Sequence, residues 1–177
     1  PAFIGGAQDD AGSANEGLSS QWYFAEASQG FFDTYLTVSN PHDQPALLNV
    51  TYLPEWAAPI AQTVTALPHS RVTIWAGDVA GLQNQSFGMK LEASLPVVAE
   101  RSMYFGTSRF WDGGTAATGV TAPATTWYFG EGATGPVFDL YRTLANPQAQ
   151  AADVTVTYLL EDGRTVQRRR VRVAFLD

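Results

Sequence analysis

Cysteine is absent from this chain, and histidine occurs only at positions 42 and 69. The first absence excludes disulfides, thiolate nucleophiles and thiolate-rich zinc sites. The second leaves imidazole-based metal centres short of ligands. His42 and His69 each follow a proline, and neither stands near a nucleophile elbow of the G-x-S-x-G type, so both read as turn residues rather than catalytic bases. Basic residues are scarce as well: 10 Lys and Arg against 17 Asp and Glu give a net charge of −7, which repels nucleic acid and anionic lipid surfaces. Apolar runs are only a few residues long, far below the roughly 20 needed to cross a bilayer. No sustained helical stripe is visible. The first residue is Pro1, with no basic-then-apolar leader, which reads as a mature secreted product or an excised fragment. The adjacent acids Asp9 and Asp10 lack the spaced oxygen ligands of a calcium loop. The expectation is therefore no metal, no cofactor, no nucleic acid and no membrane insertion.

What is present is a repeat. Trp22, Tyr23, Phe24, Glu26 and Gly30 recur 105 positions later as Trp127, Tyr128, Phe129, Glu131 and Gly135. After one inserted residue, Phe32, Asp33, Tyr35, Asn40 and Pro41 recur as Phe138, Asp139, Tyr141, Asn146 and Pro147. The segment NVTYL continues the match, with Val50 to Leu53 echoed by Val156 to Leu159. Such a period is too long for a solenoid unit and suits a domain in a tandem array.

Within one period the signals are uniformly β. Short stretches rich in Val, Thr, Tyr and Phe are punctuated by Asn-Pro, Leu-Pro, Asp-Gly or Gly-Gly. Strands are predicted over 22–26, 32–39, 46–53, 62–67, 71–75, 88–93 and 97–105. Alternation in NVTYL turns Val50 and Tyr52 inward. The predicted interior is Val50, Tyr52, Val64, Ile74, Leu91 and Val98.

The series WYFAE, FDTYLTVSNP, NVTYL, PHSRVTI and PVVAERSMYF resembles a tandem repeat of large secreted or cell-surface proteins of actinobacteria and their relatives. Units of that family read approximately WYFAEG, FDTYLLLANP, VTVTYL, PAGSRVTI and VVAERAMYW. The resemblance covers 22–106 and, in part, 127–167. It implies an extracellular, all-β, immunoglobulin-like or fibronectin-type antiparallel β-sandwich, and it carries over no catalytic residue. Two departures stand out: PEWAAPIAQ at 54–62 is longer than the Asp-Gly hairpin seen at 161–163, and the second unit ends before its PAGSR and ERAMY segments.

Three groups of side chains are candidates for a role. Glu26 and Asp33 resemble a glycosidase carboxylate pair, but Arg101, in an otherwise apolar strand, needs a carboxylate if buried, so a structural ion pair of Arg101 with Glu26 or Asp33 is expected. Trp56, in the long hairpin, and Phe110 with Trp111, outside the repeated pattern, are the expected exposed aromatics for stacking on a sugar. The run Arg168 to Arg170 with Arg172 reads as the wet face of a strand whose Val171 and Val173 point inward.

The predicted organisation is an N-terminal linker at 1–21, a complete sandwich at 22–106, an inter-repeat linker at 107–126 and a partial second unit at 127–177. Half a sandwich leaves apolar rows uncovered, among them Tyr141, Val154, Val156 and Tyr158, so a partner is expected: another copy or a neighbouring repeat, as an oligomer or filament. The expected function is a non-enzymatic structural or adhesive repeat of a bacterial extracellular or cell-surface assembly. The alternative is a carbohydrate-binding accessory module taking cell-surface polysaccharide.

Overall fold

The structure, a computed structural model, describes residues 17–106, 113–137 and 139–173, the last five without side chains. The chain is all-β and antiparallel. Its strands are β1 (Ser19–Ser28), β2 (Phe32–Asn40), β3 (Ala46–Pro54), β4 (Ile60–Ala66), β5 (Ser70–Trp75), β6 (Ser86–Phe105), β7 (Gly113–Thr118), β8 (Ala152–Leu159) and β9 (Thr165–Val173). A 3-10 turn, Ala76–Asp78, follows β5.

β6 organises the first seven strands. It runs for 20 residues where two strands separated by a turn were expected at 88–93 and 97–105. Its first half pairs with β1 and β3, and its second half with β2 and β7. The difference lies at Pro96. Proline lacks a ladder donor, yet it also holds the preceding residue extended, and here it falls between the β3 ladder, which ends at Ala93, and the β2 ladder, which begins at Val98. No partner needs its missing N–H. The result is one curled sheet with halves ordered β1-β6-β3-β4 and β5-β2-β6-β7, sharing β6.

Because β6 is continuous, its side-chain phase carries through the bend. Leu91, Val97, Ala99, Arg101 and Met103 are all buried on the inner face. The expected core residue Val98 is therefore corrected: it pairs with Ser39 on the outer side, and Val97, fully buried, takes its place. Of the other expected core positions, Val50, Tyr52, Ile74 and Leu91 are buried and Val64 packs partly buried against them. Trp22 and Phe24 complete the cluster from β1, with Leu36 and Val38 from β2.

The stretch 107–126, expected as a linker, contributes β7. Its strand lies along the outer half of β6, from Glu100↔Thr118 to Phe105↔Gly113. Two residues beyond it, Val120 exchanges both backbone hydrogen bonds with Tyr23 of β1, at 2.8 and 3.0 Å. β7 thus joins the free edges of the two halves on one side. β1 likewise begins inside the expected N-terminal linker, at Ser19, whose carbonyl accepts from the Trp22 indole at 3.1 Å.

In the second unit the only regular element among the described residues is the β8–β9 hairpin, the counterpart of β3–β4. The reason follows from the first unit. β1 pairs only with β6 within the named strands, and β2 pairs with β5 and β6; the sequence from 127 on contains counterparts of neither β5 nor β6. A β3–β4 hairpin satisfies its own ladder, whereas the β1 and β2 counterparts meet no β5 or β6 counterpart among the described residues. Trp127, Tyr128, Phe129 and Tyr141 are accordingly exposed. Val154, Val156 and Tyr158 are half-buried, and the side chains of Val171 and Val173 lie outside the described residues.

Candidate functional site: the aromatic face of the β5-β2-β6-β7 half

Alternation in β2, β5 and β6 sends every second side chain outward, and the register decides which of them meet. One row across the outer face is Trp75, Tyr35, Ser102 and Ala116; the next is Thr73, Thr37, Glu100 and Thr118. Tyr104 stands beside Asp33 in a third row, opposite Gly114. Three aromatic rings thus converge from positions far apart in sequence. Tyr35 and Trp75 are within 19° of parallel with centroids 6.4 Å apart, and Tyr104 meets Tyr35 edge-on at 6.0 Å. Tyr35 and Tyr104 border a shallow depression of about 380 Å³ lined also by Thr37, Thr73 and Ser102.

Two glycines make this arrangement possible. A Cβ on Gly114 would come within 2.6 Å of the Tyr104 ring, and one on Gly77 within 2.3 Å of the Trp75 indole. Each ring therefore packs directly on bare backbone, a close approach that a side chain at either glycine would block. Asp33 fixes the Trp75 ring further: its Oδ1 accepts from the indole N–H at 3.1 Å and from the Gln29 amide at 2.8 Å. Burial, then the nearby Asp33 charge, then Tyr104, raises the Tyr35 pKa. The phenol consequently stays protonated and remains a hydrogen-bond donor at all ordinary pH values. Farther along the same edge, exposed Phe31 stacks on Phe105 at 5.7 Å, with Phe32 edge-on to both.

Behind this face, Arg101 points inward. It sits across from Leu36 and Ala117 and is 5% exposed. Its Nη2 donates to Glu26 Oε2 at 3.4 Å, and Nη1 has no hydrogen-bond partner. Glu26 reaches it because Ala25 and Glu26 together oppose Gly88 in a β-bulge, which re-aims the side chain. Burial lowers the Arg101 pKa, and Glu26 partly offsets that effect. Asp33 lies on the opposite face from Arg101, since their side chains leave the sheet on different sides, and it bonds Gln29 and Trp75 instead.

The remaining candidates are dispersed. Trp56 is 84% exposed in the β3–β4 hairpin and is not among the residues lining the depression. Phe110 and Trp111 lie outside the described residues, as do Asp9 and Asp10. His69 donates to Asp43 Oδ1 at 2.6 Å and His42 to the Pro96 carbonyl at 2.7 Å, so both tie turns together. Among the described residues no cluster of three His, Asp or Glu is placed to hold a metal ion.

Tyr35, Trp75 and Tyr104 are not a group in the sequence, where they stand far apart. A signal was present: in RVTIW the alternation that buries Ile74 necessarily turns Trp75 to solvent, an unusual place for the largest side chain.

No family model matches the chain, and no curated protein matches it. Solved structures do. The crystal structure of Thermotoga maritima 1070 is similar with a TM-score of 0.54 at 17% identity, over 59% of this chain and 95% of that one. The Anabaena sensory rhodopsin transducer matches with a TM-score of 0.42 at 15% identity, over 47% of this chain and 81% of its own. The first likeness is one of fold alone, and the second is too distant to carry an argument.

Proposed function

We propose that the chain is a non-enzymatic repeat of a bacterial extracellular or cell-surface assembly, built on a β-sandwich of immunoglobulin-like size and serving as a structural or adhesive unit. The observation that carries this reading is what the duplicated residues do. The Trp22 and Trp127 indoles each donate to the carbonyl three residues before, at 3.1 and 3.0 Å. Asn40 and Asn146 each brace the turn that follows them. The repeated motif is thus spent on shaping backbone, and residues repeated for that purpose mark a unit meant to be copied. Seven strands around one core, with β6 common to both ladders, support the sandwich reading.

The outer rings favour a second reading alongside the first, a carbohydrate-binding accessory module: a spacer buries its aromatics at unit boundaries, whereas Tyr35, Trp75 and Tyr104 face solvent beside hydroxyls. Antibody labelling and protease shaving of intact source cells test the primary reading. Surface labelling with loss of the epitope on shaving is expected; a protein found only in the cytosolic fraction overturns it.

A further inference from the structure

A shallow depression lined by Tyr35, Thr37, Thr73, Ser102 and Tyr104 lies on the outer face of the β5-β2-β6-β7 half. We propose that this depression is the binding site for a neutral polysaccharide of β-linked pyranose units with equatorial hydroxyls, such as a β-glucan or chitin-type chain. The inference rests on the carbohydrate-binding reading above and assigns it a place and a ligand class that differ from the exposed aromatics the sequence suggested.

Shape comes first. A pyranose with equatorial substituents presents its C–H bonds on two flat apolar faces and its hydroxyls around the rim. It therefore needs an aromatic surface with short donors and acceptors beside it. Tyr35 supplies the surface, and Thr37, Thr73 and Ser102 supply hydroxyls at neighbouring cross-strand positions. Tyr104, standing 62° to Tyr35, forms a second wall. Trp75, nearly parallel to Tyr35, backs it and holds it in place. The rings are pre-positioned by Gly77, Gly114 and the Asp33 bond, so little ordering is left for the ligand to bring about.

Charge narrows the class. Asp33 and Glu100 share the face, with Arg71 one row beyond Thr73, and none of the residues lining the depression is cationic. A carboxylated or sulfated polymer would meet like charge on a protein that is already net −7. A neutral chain meets none, and Asp33 Oδ2, which takes no hydrogen bond among the described residues, can accept from a sugar hydroxyl. The shallow, open form also suits a polymer that continues past the site on both sides. A β-strand peptide would instead seek an edge, and on one side that edge is already β7 joined through Val120 to β1.

The test is binding of the full chain to cellohexaose, laminarihexaose and chitohexaose by calorimetry, with polygalacturonate as the anionic comparison. Binding to at least one neutral oligosaccharide is expected, with little or none to polygalacturonate. Tyr35→Ala and Tyr104→Ala should each weaken it at least tenfold, while Trp56→Ala leaves it unchanged. Gly114→Ala, which displaces the Tyr104 ring, should weaken it without removing any contacting group. Thermal unfolding of each variant confirms that it is folded, and Tyr35→Phe, which keeps the ring, should retain most of the affinity. Binding lost in Trp56→Ala but kept in Tyr35→Ala overturns this site and leaves the carbohydrate reading standing. Preference for polygalacturonate overturns the ligand class, and no binding to any of the four overturns both the site and the reading.

Discussion

Asn40 and Asn146, 106 positions apart, make the same pair of hydrogen bonds. The amide of Asn40 donates to the Gln44 carbonyl at 2.8 Å and its oxygen accepts from the His42 N–H at 3.0 Å; Asn146 donates to the Gln150 carbonyl at 2.6 Å and accepts from Gln148 at 3.2 Å. The side chain closes the turn before β3 and before β8 alike, which is what the repeated Asn-Pro encodes. Asn40 is in addition buried, its amide also reaching the Ala66 and Leu67 carbonyls at the end of β4, whereas Asn146 is half-buried.

The difference in burial sets the first prediction. Asn40→Ala strips the amide donor from the Gln44 and Ala66 carbonyls and the acceptor from the His42 N–H, while the Leu67 carbonyl keeps the Ser70 hydroxyl; at roughly 1 kcal/mol for each of the three groups left short, it should cost about 3 kcal/mol. Asn146→Ala, at a more solvated turn, should cost about 1 kcal/mol or less. Urea unfolding monitored by tryptophan fluorescence checks both, and equal costs would show that burial adds nothing to the Asn40 bonds.

Arg101 gives a prediction whose sign is informative. Its guanidinium is buried with one weak carboxylate contact and an unpartnered Nη1. Replacing a poorly paired buried cation by an apolar side chain of similar volume is often neutral or stabilising. Arg101→Met should therefore hold or raise the melting temperature. Glu26→Gln keeps the buried charge but removes its counter-ion, and should lower it modestly, by about 1 kcal/mol, since Glu26 is half exposed. A large loss in Arg101→Met would contradict the view that the ion pair contributes little net stability.

Much of this fold was legible in the chain, and the illegible parts share a cause. β2, β3 and β5 show clean period-2 alternation, so Val50, Tyr52 and Ile74 identify themselves as inner residues. β7, in contrast, reads GGTAAT. Its small residues resemble a linker because Gly114 must leave room for the Tyr104 ring, a requirement set by a neighbour and invisible in local propensity. The continuity of β6 was hidden by Leu95-Pro96, which stops a strand only where a partner demands the missing N–H. The aromatic face was hidden by distance: Tyr35, Trp75 and Tyr104 become neighbours only once register is known. Arg101 was legible as a residue needing a carboxylate, but choosing between Glu26 and Asp33 required the bulge at Ala25–Glu26, which sends one acid inward while Asp33 stays on the outer face.

Tyr52 supplies a pH prediction. It is 1% exposed, donates to Gln62 Oε1 at 2.7 Å, and burial raises its pKa to about 12. The unfolded chain ionises near the ordinary value of about 10, so between these values the unfolded state releases a proton that the folded state keeps. Stability present below pH 10 is therefore lost as pH rises toward 12, at up to about 1.4 kcal/mol per pH unit. Tyr52→Phe should flatten this part of the stability curve. An alkaline limb that is identical in the variant would assign the loss to other groups.

The last prediction concerns the seam between Val120 and Tyr23. Each donates its N–H to the other's carbonyl, at 3.0 and 2.8 Å, joining the end of β7 to β1. These two bonds close the curl on a side where β1 and β7 would otherwise both be free edges. Val120→Pro removes one donor outright and misplaces the carbonyl that receives the other. Because Val120 itself is partly exposed, the loss in global stability should be moderate, about 1–2 kcal/mol. The local effect should be larger. In hydrogen exchange the Tyr23 amide, whose acceptor is the Val120 carbonyl, should lose protection well beyond that global change, while the Trp22 amide beside it and the inner amides of β3 follow only the global change. Gly119 adds a second handle, since a Cβ there would fall 2.7 Å from the Phe24 ring; Gly119→Val should force the seam apart and reproduce the same exchange pattern without touching a hydrogen-bonding group. Unchanged Tyr23 protection in both variants would mean that β7 ends at Thr118 in solution, and that the stretch beyond it is the linker its composition suggests.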